Sequence, residues 1–133
     1  MSTRIEIETK IAAFAAAQNP PLKVAWENTP FTRPADEMWL EVILKSANTV
    51  TATVDASTNR ERGSICVVVW CPVGKGLGKL DTLVEKIVKL FPVIPKTGTV
   101  SIEDPMNTSQ FMKMDDGWGA ISCVCPYRVE SMA

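Results

Sequence analysis

The sequence predicts an α+β domain in which a mainly antiparallel sheet carries an N-terminal helix and a second long helix packed on it. Three observations predict this class: an apolar stripe with helical spacing at the N-terminus, a second such stripe after residue 77, and several short β-like runs between and after them. The 133 residues are 46% hydrophobic and 22% charged, which is typical of one globular domain. We therefore expect a single domain over residues 1–133.

The first helix is predicted at the N-terminus. Thr3 and Glu6 have the spacing of a capping box, in which each side chain accepts an amide N–H at the start of a helix. Apolar residues at 7, 11, 14 and 15 then recur at three- and four-residue steps. The helix is expected to run to about Gln18, because Asn19-Pro20-Pro21 cannot continue it.

Strands are predicted next. The run LKVAWEN (22–28) is strand-like, the following segment with its two prolines is a surface loop, and 38–45 and 48–55 are two further strands. A polar run, 56–63, is expected to separate them from SICVVVWC (64–71). The continuous apolar character of that last strand predicts a central position, covered on both faces or buried in an interface.

The second helix has the strongest pattern in the sequence. Apolar residues repeat with helical period from Leu77 to Phe91, and Pro92 ends the run. Beyond it, residues 97–130 alternate short β-like runs with turn residues at Asp104-Pro105 and Asp116-Gly117. Two or three strands are expected to close the domain.

The loop CPVGKGLGK (71–79) has the strand-loop-helix context of a phosphate-binding loop but not its spacing. Leu80 stands where such a loop needs the Ser or Thr that reaches Mg²⁺, and the glycines do not match the dinucleotide pattern either. Two interpretations remain. The glycines allow positive φ in a solvated connection, or Lys75 and Lys79 present charge to a phosphate backbone or an acidic partner.

No catalytic residue, cofactor site or metal site is predicted. The sequence has no histidine, so the commonest general base and the usual nucleophile pairs are missing. Cys66 and Cys71 should point to opposite faces of one strand, and Cys123 and Cys125 sit within another, so the four do not form a zinc site. We interpret them as free, buried thiols, and Asp115-Asp116-Gly117 as a tight turn rather than a carboxylate pair.

The segment PMNTSQFMKMDDGW is a candidate protein-binding surface, because methionines and aromatics in a polar loop are typical of adaptable interfaces. An equally simple interpretation is that these side chains close the edge of the core. The candidate interface residues are Met106, Phe111, Met112, Met114 and Trp118.

The net charge of −1 provides no overall field toward nucleic acid or an anionic membrane. The N-terminus lacks the apolar core of a signal peptide, and no window reaches the roughly 18 apolar residues of a membrane span. We expect a soluble chain that is not exported and that does not bind a membrane.

The order of these elements resembles the phage tail terminator family. The resemblance spans nearly the whole chain and is carried by the WEN-type strand at Ala25–Asn28, the strand MWLEVIL, the strand VVVWCP, a long helix ending near FPV, and the final strand GWGAISCVCPYRVE.

The resemblance implies a structural, non-enzymatic role in the virion tail, reached through assembly in the host cytoplasm. Family members form a hexameric ring that caps the tail tube, stops its polymerisation and offers a surface to the head. The implied partners are further copies of the chain, the tail tube protein, a head-tail connector protein and passing DNA. Another phage neck or head-tail joining protein, a small enzyme built on carboxylates and lysines, and a non-phage α+β adaptor domain remain as alternatives.

Overall fold

The computed structural model describes residues 3–51, 58–74, 76–93, 100–114 and 116–132, with the backbone alone at 46–51, 58–60 and 130–132. Within these residues, two helices and seven strands follow one another in this order: α1 Thr3–Ala16, β1 Lys23–Ala25, β2 Trp39–Thr51, β3 Thr58–Pro72, α2 Gly78–Leu90, β4 Val100–Ile102, β5 Asn107–Thr108, β6 Met112–Lys113 and β7 Trp118–Met132. The fold is α+β.

One mixed, mostly antiparallel sheet contains all seven strands. Its order is β1-β2-β3-β7-β4, and β5 and β6 also pair with β7. The pair β1–β2 is parallel, and every other described pair is antiparallel. The apolar strand β3 therefore lies at the centre, as its continuous hydrophobic run predicts.

The prediction of two separate strands over 38–45 and 48–55 is wrong. Both belong to β2, which continues through an irregularity between Ser46 and Asn48 that shifts its register against β3. A bulge adds a residue without ending the ladder. The last part of the predicted second strand lies outside the described residues.

The polar run 56–63 does not separate strands throughout its length, because β3 begins at Thr58. Residues 59–63 pair with β2 on one side, and residues 58–63 pair with β7 on the other. Backbone pairing on both sides accommodates polar side chains that the sequence pattern assigned to a loop.

One hydrophobic cluster contains residues of both helices and of the long strands. Alternate residues of the long strands belong to it, as the two-residue period of a strand requires. The buried members from β2, β3 and β7 are Leu40, Val42, Leu44, Ile65, Val67, Val69, Cys71, Ile121, Cys123, Cys125, Tyr127 and Val129.

The predicted helical stripes supply a further part of this core. In α1 the buried residues are Ile7, Ile11 and Ala15, and the helix ends at Ala16, two residues before the predicted end. In α2 they are Leu80, Leu83, Val84 and Ile87. No helix in the described part of the chain is long and apolar enough to cross a membrane.

The opposite side of the sheet is called here the helix-free face, because its buried residues are not part of the cluster that contains the helices. These buried residues are Trp39, Val68, Trp118 and Ala120. Other members, including Ile43, Cys66, Trp70 and Val124, are half-buried.

Candidate assembly surface

The glycine loop is a turn between β3 and α2. Gly74 has φ of 96° and Gly76 has φ of 74°, a region that side chains with a Cβ rarely adopt. Gly78 is the first residue of α2. The interpretation of these glycines as residues that allow positive φ in the connection is thus confirmed at Gly74 and Gly76.

Of the two loop lysines, Lys79 lies within the described residues. Lys75 lies outside the described residues. Lys79 is exposed in the first turn of α2 and lines an open groove of about 350 Å³ together with Lys86, Glu37 and the chain after α1. Because lysines and a carboxylate share this groove, its charge is mixed.

The glycine loop and the methionine-rich segment lie side by side. The Val73 N–H donates to the carbonyl of Gly117 at 2.9 Å, which ties the end of β3 to the start of β7. A shallow depression of about 280 Å³ lies between the two segments. Its lining includes Val73 and Leu77, which are 37% and 45% exposed, and the side chains of Phe111 and Lys113.

The five candidate interface residues do not share one environment. Met106 and Trp118 are buried, at 7% and 6% exposure. Phe111 is half-buried and packs on Gly119, where a Cβ would collide with its ring. Met112 and Met114 are 45% and 39% exposed, so these two offer most of the apolar surface to a partner.

A cluster of aromatic rings lies at this end of the helix-free face. Trp39 and Trp70 are paired residues of β2 and β3, and their rings stack at 5.3 Å with an interplanar angle of 8°. Phe31 meets Trp39 at 5.0 Å, and Trp118 contacts it edge-on at 6.2 Å. Offset and edge-to-face pairs of this kind are favourable beyond the area that they bury.

Arg33 covers the cluster from the loop between β1 and β2. Its guanidinium lies 5.1 Å from the Trp118 ring, which is cation–π geometry. It also forms an ion pair with Asp116 at 2.7 Å, and this contact holds the pKa of that carboxyl below its ordinary value. Asp116 therefore sits in a turn and pairs with an arginine, in agreement with the turn predicted at Asp116-Gly117. Asp115 lies outside the described residues.

The edge of the sheet formed by β1 and β2 carries an open cavity of about 360 Å³. Ala25, Glu41 and Ile43 line it from β1 and β2, and Phe31 and Trp39 contribute aromatic walls. The indole N–H of Trp39 is buried and has no hydrogen-bond acceptor among the described residues. Aromatic rings, one small residue and the carboxylates of Glu27 and Glu41 share this lining, and its aromatic part suits an apolar or thioether side chain.

Glu27 also lines that cavity and covers the exposed edge of β2. Its Oε1 accepts the backbone N–H of Leu44 at 2.7 Å and an N–H of Arg4 at 3.0 Å. The hydrogen bond from Leu44, followed by that from Arg4, holds the pKa of Glu27 below its ordinary value. The carboxylate of Glu27 therefore accepts a hydrogen bond from a backbone N–H of β2 that an added strand would otherwise use.

The cysteines are free, as the sequence predicts. Cys71, Cys123 and Cys125 are buried in the core, whereas Cys66 is half-buried on the helix-free face. Burial raises the pKa of Cys123 to about 12 and that of Cys125 to about 11. These thiols stay protonated at neutral pH and behave as small hydrophobic side chains. The described residues contain no group of three or more side chains that could hold a metal ion.

The chain matches the family described as phage tail terminator protein over residues 7–127. It belongs to the phage tail terminator family. A search of curated proteins finds no match. A solved structure, whose own name states no function, is 29% identical in sequence and superposes with a TM-score of 0.75, over 95% of this chain and 92% of that chain.

Membership of the tail terminator family gives the chain a structural role in a phage tail and associates it with other tail components. The family is one of structural proteins, in line with the prediction of a non-enzymatic chain.

Sequence reasoning missed the aromatic cluster and Arg33. The signal was present, because Trp39 and Trp118 each begin a long strand and Trp70 lies near the end of one. Antiparallel neighbours bring the start of one strand beside the end of the next. Using that signal requires the strand order, which the sequence alone did not supply.

Proposed function

We propose that this chain forms a hexameric ring that caps the tail tube, ends its polymerisation and offers the surface to which the head attaches. The observation that carries the proposal is the match to the tail terminator family over residues 7–127. The α+β fold and the exposed apolar side chains at one end of the sheet support it. A cyclic ring needs two different surfaces on each subunit that fit one another.

Two groups of residues are proposed for the contacts of this ring. Met112 and Met114 are the apolar contacts between proteins, because they are exposed and flexible enough to adapt to a neighbour. Lys79, with Lys75, is proposed for a charged ring or lumen surface that passing DNA meets without being held. Lys79 is exposed, which is what such a role requires.

Deleting the gene of this chain from its phage tests the proposed role in tail length. Tubes without a terminator should continue to grow, so electron microscopy should show tails longer than those of the parent phage and heads that lack tails. Normal tail lengths with unjoined heads would instead favour a head-tail joining protein. Normal, infectious virions would contradict both roles and favour an adaptor domain.

Residue variants test the proposed surfaces in the same phage. The double change Met112→Asp, Met114→Asp should prevent ring assembly while far-UV circular dichroism remains unchanged, since both side chains are exposed. The double change Lys75→Glu, Lys79→Glu should alter head joining or DNA passage. Rings that assemble normally with the first change, or virions that form normally with the second, would remove the corresponding surface from the proposal.

A further inference from the structure

The two edges of the sheet carry features that fit each other. One edge, formed where β6 pairs with β7, presents Met112. The other edge, formed by β1 and the adjoining part of β2, carries the cavity of about 360 Å³ lined by Ala25, Phe31 and Trp39. One edge therefore has an exposed apolar side chain, and the other has an open hollow whose lining combines aromatic rings with the carboxylates of Glu27 and Glu41.

The projecting side chain and the hollow lie on the same face and at the same height along the strands. Trp39 pairs with Trp70, Trp70 pairs with Ala120, and Ala120 pairs with Met112. Paired residues of neighbouring strands project to the same side of a sheet. Met112 thus ends a row, on the helix-free face, that reaches across the sheet to a wall of the cavity.

We infer that Met112 of one subunit docks in the cavity at the β1–β2 edge of the next copy of this chain. The inference rests on the proposed ring and names the partner of its methionine surface. Joining two different edges of identical subunits is a head-to-tail contact, and repetition of such a contact closes a ring when the rotation between subunits permits.

The chemistry of the cavity suits methionine. Its aromatic walls, Phe31 and Trp39, can make the sulfur–aromatic contacts that methionine favours, and Ala25 leaves room for the side chain.

The proposed contact between subunits is made by side chains. It does not extend the sheet by a further strand beside Leu44 of β2. Glu27 already accepts the outward N–H of Leu44 at 2.7 Å and is held there by Arg4. An incoming strand would have to displace a charge-assisted hydrogen bond at that position. A side chain that enters the adjacent cavity leaves this bond intact.

A pair of cysteines tests the contact. In a Cys66→Ser background, the variant Ala25→Cys, Met112→Cys should form disulfide-linked dimers and higher species in tails isolated from the phage under mild oxidation. The two positions of one chain are separated by four strand spacings of about 4.8 Å, or roughly 19 Å. Cα atoms more than about 7 Å apart cannot be bridged, so a disulfide here must join two subunits.

The matched control is Ala25→Cys, Lys113→Cys in the same background. Lys113 follows Met112 and is also exposed, but it pairs with Gly119 and therefore projects to the other face of the sheet. We expect cross-linking with position 112 and at least about tenfold less with position 113. Equal cross-linking at both, or none at 112 in tails whose terminal rings are visible by electron microscopy, would overturn the contact but leave the ring. Tails that lack the wild-type chain would overturn the ring itself.

A filling variant gives a second readout. Ala25→Trp should occupy the cavity and weaken association between subunits at least about tenfold, which corresponds to about 1.4 kcal/mol. Met112→Leu, which nearly conserves side-chain volume, should leave association within about threefold of wild type. Association of the Ala25→Trp variant at the wild-type level would contradict docking in this cavity.

Discussion

The two faces of the sheet are built from the same strands but are covered differently. On the core face, Leu40 and Ile65 are fully buried in a cluster with both helices. On the helix-free face, Ile43 and Cys66 are half-buried, and the covering consists of a loop with Phe31 and Arg33. The difference indicates that the core face provides most of the stability of the chain, whereas the helix-free face leaves apolar side chains partly exposed, as the proposed contacts with other proteins require.

The largest difference between the faces should be seen on removing an apolar side chain from each. Leu40→Ala leaves a cavity in a filled core and should lower the free energy of unfolding by about 3 kcal/mol. Ile43→Ala, on the helix-free face, should cost about 1 kcal/mol, because solvent and the loop can fill the space. Urea denaturation of both variants measures this, and equal losses would contradict the division between the faces.

Gly63→Ala should have the next largest effect on the free energy of unfolding. A Cβ at this position would collide with the backbone carbonyl of Lys45 and with the ring of Tyr127. We expect a loss of about 2 kcal/mol, the usual range for overpacking. Gly78→Ala is the control, because nothing lies within 4 Å of its added Cβ. A thermal midpoint for Gly63→Ala as high as that of the control would show that the sheet relaxes there.

Removal of Arg33 should have a smaller effect on the helix-free face. Arg33→Ala removes the contact with the Trp118 ring, and an exposed cation–π pair contributes about 0.5–1 kcal/mol. Arg33→Lys keeps the charge but loses the planar stacking, so its stability should lie between that of the wild type and that of Arg33→Ala. Tryptophan fluorescence should report greater exposure of the cluster in Arg33→Ala. An unchanged spectrum and an unchanged denaturation midpoint would show that the arginine does not cover the rings.

The smallest effect expected is a pH dependence at Glu27. Its pKa is lowered below the ordinary value of 4.5, chiefly by the N–H of Leu44, so the folded chain favours the ionised form. The resulting stabilisation is present above about pH 4.5 and is lost as the pH falls through the lower pKa of the folded chain. The stability difference between wild type and Glu27→Gln should therefore be largest at neutral pH and shrink on acidification. A difference that does not change between pH 7 and pH 3 would contradict this account.

The regular parts of the fold could be predicted from the sequence. The stripe from Leu77 to Phe91 identified α2 because a helix needs only local periodicity. The apolar run 64–71 identified the central strand because a strand covered on both sides does not alternate. Both signals lie within one element and do not depend on its neighbours.

The edges and the aromatic surface could not be predicted, because they depend on pairing. The two-residue strands β5 and β6 exist only where they meet β7, and no pattern this short is specific. Met112 and Met114 are exposed, whereas Met106 in the same segment is buried. Composition identified the segment, and only the register against β7 distinguishes the side chains that face outward.

The most direct measurement is cryo-electron microscopy of the head-proximal end of tails isolated from the phage that encodes this chain. We expect one ring of six copies at the end of the tube. The β6 edge of each subunit should lie against the β1–β2 edge of the next, with Met112 close to Ala25 of its neighbour. A chain distributed along the tube, or absent from its end, would contradict the account.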